Sequence, residues 1–223
     1  MTDFVHLHLH TEYSLLDGAV RIMQPVLNPD EPDKPKKIHP LSLALKERGM
    51  NTVAITDHGN MYGVYTFVQT LREDGIKPIV GEEFYVADDM YCKTNDPSNK
   101  RYHLILLAKN QKGYENLMKL SSISFVEGFY QKPRIDLEHI AEYSEGLICL
   151  SACLAGKIPR LLLHGKYEEA KAYAIRMRDM FDEGDFYIEI QDHGLDDDKI
   201  VNNQLVRIAS EIGVKIVATN DVH

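Results

Sequence analysis

The 223-residue chain predicts an α/β fold whose strands gather into a barrel-like sheet. Three observations carry this expectation. Short β-rich apolar runs alternate with segments whose apolar residues recur every three or four positions, the pattern of βα units. Glycine closes several of the helical segments. Histidines or carboxylates stand at or just past the end of four apolar runs: His6, His8 and His10 in FVHLHLHTEYSLLDG, Asp57 and His58 in TVAITDHGN, Glu82 and Glu83 in KPIVGEEFY, and Asp221 and His223 in KIVATNDVH. Ligands collected at one rim of a parallel barrel, around more than one metal ion, produce that arrangement.

Taken in order, strands are expected over 4–9, 52–56, 77–87, 103–108, 146–151, 186–191 and 215–219, with helices over 41–50, 62–74, 113–124, 166–181 and 198–213. Seven strands with interleaved helices favour a closed barrel over an open doubly wound sheet. The hydrophobic content of 44% is ample for one core, and residues 1–223 read as one domain. The proline-rich, charged segment LNPDEPDKPKK reads as a surface loop, as does KTNDPSNKR between the third and fourth strands.

The net charge of −9 leaves no overall basic footprint, so nucleic-acid contact has to be local, metal-assisted or helped by a larger partner. Arg101, Lys132, Arg134 and Lys157 are candidates for such contacts, each of which also reads as a solvated loop charge. Three cysteines without CxxC spacing suit a reducing compartment. No basic, then apolar, leader opens the chain, and no run approaches the ~18 apolar residues that span a bilayer. The expectation is a soluble, cytoplasmic protein with no membrane partner.

Residues two apart on a strand share a face, so His6, His8 and His10 should point one way. Asp17, in SLLDGAV, either adds a carboxylate or caps the next helix. His58 is placed to ligate, with Asp57 either a second ligand or its supporting partner. Neighbours on a strand face opposite ways, so only one of Glu82 and Glu83 can readily face a site. His103 opens the run HLILLAKN and stands by pattern at a strand start, whereas Cys153 follows GLICLSA at a strand end. Cys149 lies inside that strand and Cys92 in a loop. Asp221 and His223 are two apart and directed alike. Imidazole, carboxylate and thiolate at the ends of five or more strands describe a polynuclear site for zinc, manganese or iron. Two such ions ~3.5 to 4 Å apart suit the hydrolysis of phosphate esters.

The runs HLHLHTEYSLLDG, TDHGNMYG, GIKPIVGEEFYVA, SACLAG, EIQDHG and ATNDVH together resemble the N-terminal PHP (polymerase and histidinol phosphatase) domain of bacterial C-family replicative DNA polymerases over almost the whole chain. KPRID, at Lys132 to Asp136, points to the polymerase branch of that family. The resemblance implies a distorted seven-stranded (β/α)7 barrel with a trinuclear metal centre, of whose positions two or three are expected to be filled by divalent ions. By motif, its nine ligand positions fall on His8, His10, Asp17, His58, Glu83, His103, Cys153, Asp221 and His223, with His6 and Glu82 in support. Asp17, Glu83 and Asp221 would be the carboxylates of the reaction centre. The implied activity is a metal-dependent 3′ to 5′ proofreading exonuclease with metal-activated water as nucleophile. It would act on a single-stranded or mismatched DNA 3′ end beside the rest of the polymerase chain and the replisome subunits. The alternatives are a metal-binding scaffold without catalysis and a small-molecule phosphatase of the histidinol phosphatase kind. The insert at Asn28 to Lys37 is longer than the family leads one to expect, placed to cover the site or to meet another domain.

Overall fold

A computed structural model describes residues 4–31, 33–94 and 99–223. In chain order they form β1 (Gln24–Val26), β2 (Lys36–Ile38), α1 (Pro40–Glu47), β3 (Thr52–Ile55), α2 (Val64–Glu73), β4 (Lys77–Ala87), β5 (Arg101–Ala108), α3 (Gln111–Val126), β6 (Arg134–Ile135), α4 (Leu137–Glu142), β7 (Leu147–Leu150), α5 (Lys157–Leu163), α6 (Tyr167–Met180), β8 (Phe186–Ile190), α7 (Asp196–Ile212) and β9 (Lys215–Ala218). A curled sheet runs β3-β4-β5-β7-β8-β9, with β6 added beside β4.

Six of the seven expected strands form within two residues of their expected bounds. The seventh, at 4–9, is extended but bends at His8 and pairs only through isolated bridges, His6 to Val53 on one side and Leu9 to Val222 on the other. The Thr56 hydroxyl accepts from the Leu9 amide at 2.9 Å and donates to its carbonyl at 3.2 Å, adding to backbone bonds from the Ala54 and Thr56 amides to the His6 and Leu9 carbonyls. The N-terminal segment thereby sits between the first and last strands of the path.

The sheet is mixed, a departure from an all-parallel barrel. β3-β4, β7-β8 and β8-β9 pair in parallel, while β5 runs antiparallel to both β4 and β7. Reversing β5 brings its first residues to the rim where the parallel strands end. The predicted loop at 28–37 is also partly ordered, because β1 and β2 pair antiparallel across it with all of β2 exposed. The loop expected at 93–101 lies in part outside the described residues. Helices α4 and α5 had no sequence expectation; each is a short segment of six or seven residues.

Strand alternation divides the molecule. On β5, Leu104 and Leu106 face outward into the main core with α3, α5, α6 and α7, while Ile105 and Leu107 join Ala54, Leu150 and Ala152 in a small inner cluster. A second outer core packs α1 and α2 on β3. Below the inner cluster a hollow of about 680 Å³ opens between Leu7, Ile79, Leu107, Ile148, Tyr187 and Val217, and above it lies the polar rim.

Candidate metal centre

Two periodicities place the site. Glu83 follows Gly81 on the inward face of β4, and His103 precedes Ile105 on the inward face of the neighbouring β5, so the two lie side by side facing the barrel interior, with Tyr85 paired to His103. Gly81 is needed there: a Cβ would stand 2.5 Å from the Leu107 side chain and 2.8 Å from the Leu106 carbonyl. Glu82 points the other way, buried toward Ser121 on α3.

Three groups of ligand atoms result, each with its members within 4.8 Å of one another: His10, His58 and His223; His8, His10 and Asp221; and His58, Glu83 and His103. Seven of the nine expected ligand positions are therefore brought together. Asp17 stands at the mouth, half exposed, with Oδ2 3.3 Å from His58 Nε2 and 3.9 Å from His223 Nε2. Cys153 approaches from the edge, its Sγ 3.9 Å from His103 Nδ1. His6 departs from the shared direction expected of it: on the near side of the bend at His8, it lines a separate hollow with Arg21, Leu41 and Arg48.

Glu83 is the hub. His8 Nε2 and His103 Nδ1 lie 3.2 and 3.0 Å from its Oε1, and His58 Nδ1 contacts Oε2. Asp221 Oδ1 lies 3.0 Å from His8 Nε2 and 3.3 Å from His10 Nε2. Both Glu83 Oε1 and Asp221 Oδ1 are buried, yet neither accepts a hydrogen bond of proper geometry despite these close nitrogens. Imidazole nitrogens and carboxylate oxygens that converge on one space outside hydrogen-bonding geometry are arranged as donors to a shared cation, which would take the place of the imidazole protons. The donor set, imidazole and carboxylate with a thiol at its edge, fits borderline divalent metals.

The supporting hydrogen bonds fix the same polarity. His8 Nδ1 donates to Glu189 at 2.8 Å, leaving Nε2 to face the centre. His10 Nδ1 donates to the Ser14 hydroxyl at 3.0 Å, which in turn donates to Asp57 at 2.8 Å. Asp57 also accepts from the Thr11 amide and hydroxyl at 2.6 and 2.8 Å, so its role is support. Asp221 adopts φ +46°, a left-handed turn that Asp tolerates, just ahead of His223. Glu189, Ser14 and Thr11 were not singled out from sequence. The one available signal was Glu189, the sole carboxylate within the apolar strand FYIEI.

Electrostatics agree with the geometry. Burial would push Glu83 up, but His103, His58 and His8 hold it well below the usual carboxylate range. Asp221 is likewise held low, by His10 and His8 against burial. Burial would lower His8, but Glu189, Asp221 and Glu83 raise it well above its ordinary value. Burial pushes Glu82 well up, keeping that carboxyl toward its neutral form. Of the four basic candidates, Arg134 is buried and bound to the Gly128 and Met90 carbonyls, and Lys157 is paired with Asp88. Those two are structural.

A family model described as PHP domain matches residues 33–193. The chain belongs to the PHP domain family. This PHP domain is 46% identical over 222 residues to DNA polymerase III subunit alpha of Borreliella burgdorferi, 45% identical over 222 residues to that of Treponema pallidum, and 44% identical over 234 residues to that of Campylobacter jejuni. These alignments cover 99 to 100% of the chain but only 18% of each relative, so the PHP domain spans about a fifth of their length. Among solved structures it is similar to a metal-dependent phosphoesterase from Bifidobacterium adolescentis, with TM-score 0.54, 12% identity, and coverage of 98% of this chain and 87% of that one. An amidohydrolase from Chromobacterium violaceum gives TM-score 0.52 at 14% identity and the same coverages. At those identities the likeness is one of fold.

Proposed function

We propose that this PHP domain is a metal-dependent phosphoesterase acting as a 3′ to 5′ proofreading exonuclease within a DNA polymerase III alpha subunit, of which it forms the N-terminal part. The observation that carries the reading is the sharing of ligands: His10 and His58 each belong to two of the three donor groups, so adjacent metal positions are built from one set of side chains. His8, His10, Asp17, His58, Glu83, His103, Cys153, Asp221 and His223 would hold two or three ions of zinc, manganese or iron. When bound, such ions lower the pKa of water and take up charge on phosphoryl oxygens.

The chain's own residues do the rest. Glu189 and Ser14 hold the His8 and His10 rings with one nitrogen toward the centre. Asp57 clamps the 11–14 turn against the strand end that carries His58. Asp17, half exposed between Leu16 and Gly18, lies where a substrate enters. No protein nucleophile is required, and Cys153, which burial pushes far up, stays a protonated thiol in the metal-free protein. No helix among the described residues is long and apolar enough to cross a membrane. The remainder of the polymerase, a DNA 3′ end and replisome subunits are the proposed partners, and the cytoplasm the proposed compartment.

The test is digestion of a 3′-mismatched primer with added manganese or zinc, His10→Ala serving as the control. The reading requires digestion by the wild type and its loss in a folded variant. Bound metal without cleavage would indicate a scaffold, and preference for histidinol phosphate over the oligonucleotide a small-molecule phosphatase.

A further inference from the structure

Many cations of this acidic chain are committed to carboxylates: Lys109 to Asp185, Lys157 to Asp88, and Lys171 and Arg207 to Glu211. Arg101 and Lys132 differ. Neither forms an ion pair among the described residues; Arg101 donates to Gln131, and Lys132 lies over the Tyr85 ring. Strand register sets both positions. Tyr85 lies two residues beyond Glu83 on the same inward face of β4, one layer nearer the rim, and pairs across with His103. Arg101, two residues before His103, shares that strand's inward face at the mouth. On the other side of β4, β6 places Arg134 opposite Tyr85, and the residues leading into it carry Lys132 to the ring, with Nζ 5.4 Å from the Tyr85 centroid.

The Tyr85 ring is itself 5.3 Å from the His103 ring and 6.1 Å from that of His58. One aromatic ring therefore separates Lys132 from two imidazoles of the centre. The surrounding loop is held in shape. Arg101 Nη1 donates to Gln131 Oε1 at 3.2 Å, the Tyr130 amide donates to the Lys132 carbonyl at 3.0 Å, and Gln131 adopts φ +62°, a conformation a non-glycine residue enters only when its surroundings impose it. Gly128 closes the loop, since a Cβ there would meet the Arg134 carbonyl at 1.8 Å. Pro133 and Tyr85 in turn press on Gly59, in the turn that carries His58. The loop that carries the lysine thus packs against the turn that carries a ligand.

Resting on the phosphodiesterase reading above, we infer that Arg101 and Lys132, the latter held over the buried Tyr85 ring, form a second-phosphate subsite: they take the internucleoside diester next to the ester being cleaved. Lys132 contacts the non-bridging oxygens as a point charge, Arg101 screens the same diester from the rim, and the buried Tyr85 ring positions Lys132 beside the centre. Such a subsite selects a polynucleotide end over any monoester, because only a chain carries a second phosphate to fill it. It also answers how an acidic domain holds a polyanion: through two cations that form no ion pair among the described residues.

The test separates binding from cleavage. Binding of a 5′-labelled, phosphorothioate-linked oligothymidylate is followed by fluorescence anisotropy across a salt series. Hydrolysis of bis(p-nitrophenyl) phosphate, a diester with a single phosphorus, is measured alongside. Lys132→Met and Arg101→Met should each weaken oligonucleotide binding about tenfold and lower the log–log salt slope by about 0.7. Hydrolysis of the small diester should be unchanged, Lys132→Arg should restore binding, and Lys199→Met, at a lysine paired with Asp196, should match the wild type. Unchanged oligonucleotide affinity in both methionine variants, no binding by the wild type, or equal losses on both substrates would overturn the subsite. Binding that depends on Lys132 and Arg101 with no cleavage of either substrate would remove the hydrolase reading and leave the subsite standing.

Discussion

Glu83 owes its position to the period of two along β4, and its state to three imidazoles that hold it ionised where burial alone would not. What surrounds it decides how well the centre binds metal. Glu189 accepts from His8, Gln191 and Thr219, so its charge orients the His8 ring and strengthens its donor nitrogen. Glu189→Gln should therefore lower metal affinity by about 10- to 100-fold in competition with a chelator, with the fold intact by circular dichroism. Asp57→Ala should destabilise the protein by about 3 kcal/mol in urea unfolding, because three donors from Thr11 and Ser14 lose a buried charged acceptor. A pH dependence follows from His8. Its pKa is raised well above 6.5 in the metal-free protein, so its proton adds stability below 6.5 that is lost as pH rises through the raised value. Metal competes with that proton, so apparent metal affinity should go on rising above pH 6.5, as a zinc titration at several pH values would record.

At the scale of elements, the reversal of β5 was the part of the fold the sequence could not disclose. The run HLILLAKN reads as a strand in either direction, and a histidine at its start looks remote from a rim built of strand ends. Antiparallel pairing with β4 and β7 removes the discrepancy. The strands at 52–56, 77–87 and 186–191 were legible because β-branched runs bounded by glycine or acidic turns leave little choice of period, and Asp57, His58 and Glu83 were found with them. The segment at 4–9 was read as a ladder strand, and hence His6 as sharing the direction of His8 and His10, because periodicity cannot register the bend at His8 beside the Leu9 backbone that Thr56 holds. The two carboxyls of β4 allow a test of this partition. Glu82, on the outer face, is pushed up by burial and so becomes costly to ionise as pH rises. Glu82→Gln should leave stability near pH 4 little changed and raise it increasingly as pH climbs through neutrality, measured as the difference in Tm between the two ends of that range.

The whole molecule concentrates charge where its strands converge. Asp17, Glu83, Asp221 and Glu189 lie around the same imidazoles in a chain already at −9, and bound cations would relieve the mutual repulsion of those carboxylates. The N-terminal segment, β3, β4, β5 and the last residues of the chain all contribute donors, so metal binding ties together parts far apart in sequence. Each site held at 100 times its dissociation constant should add ~2.7 kcal/mol to stability, and chelation should lower Tm accordingly. The most direct measurement is elemental analysis of the purified protein beside Glu83→Ala, both exchanged into metal-free buffer after loading with zinc or manganese. Two or three ions per wild-type chain, falling in the variant, is the predicted result; a wild type that retains no metal, or a variant that retains as much as the wild type, would contradict a centre organised around Glu83.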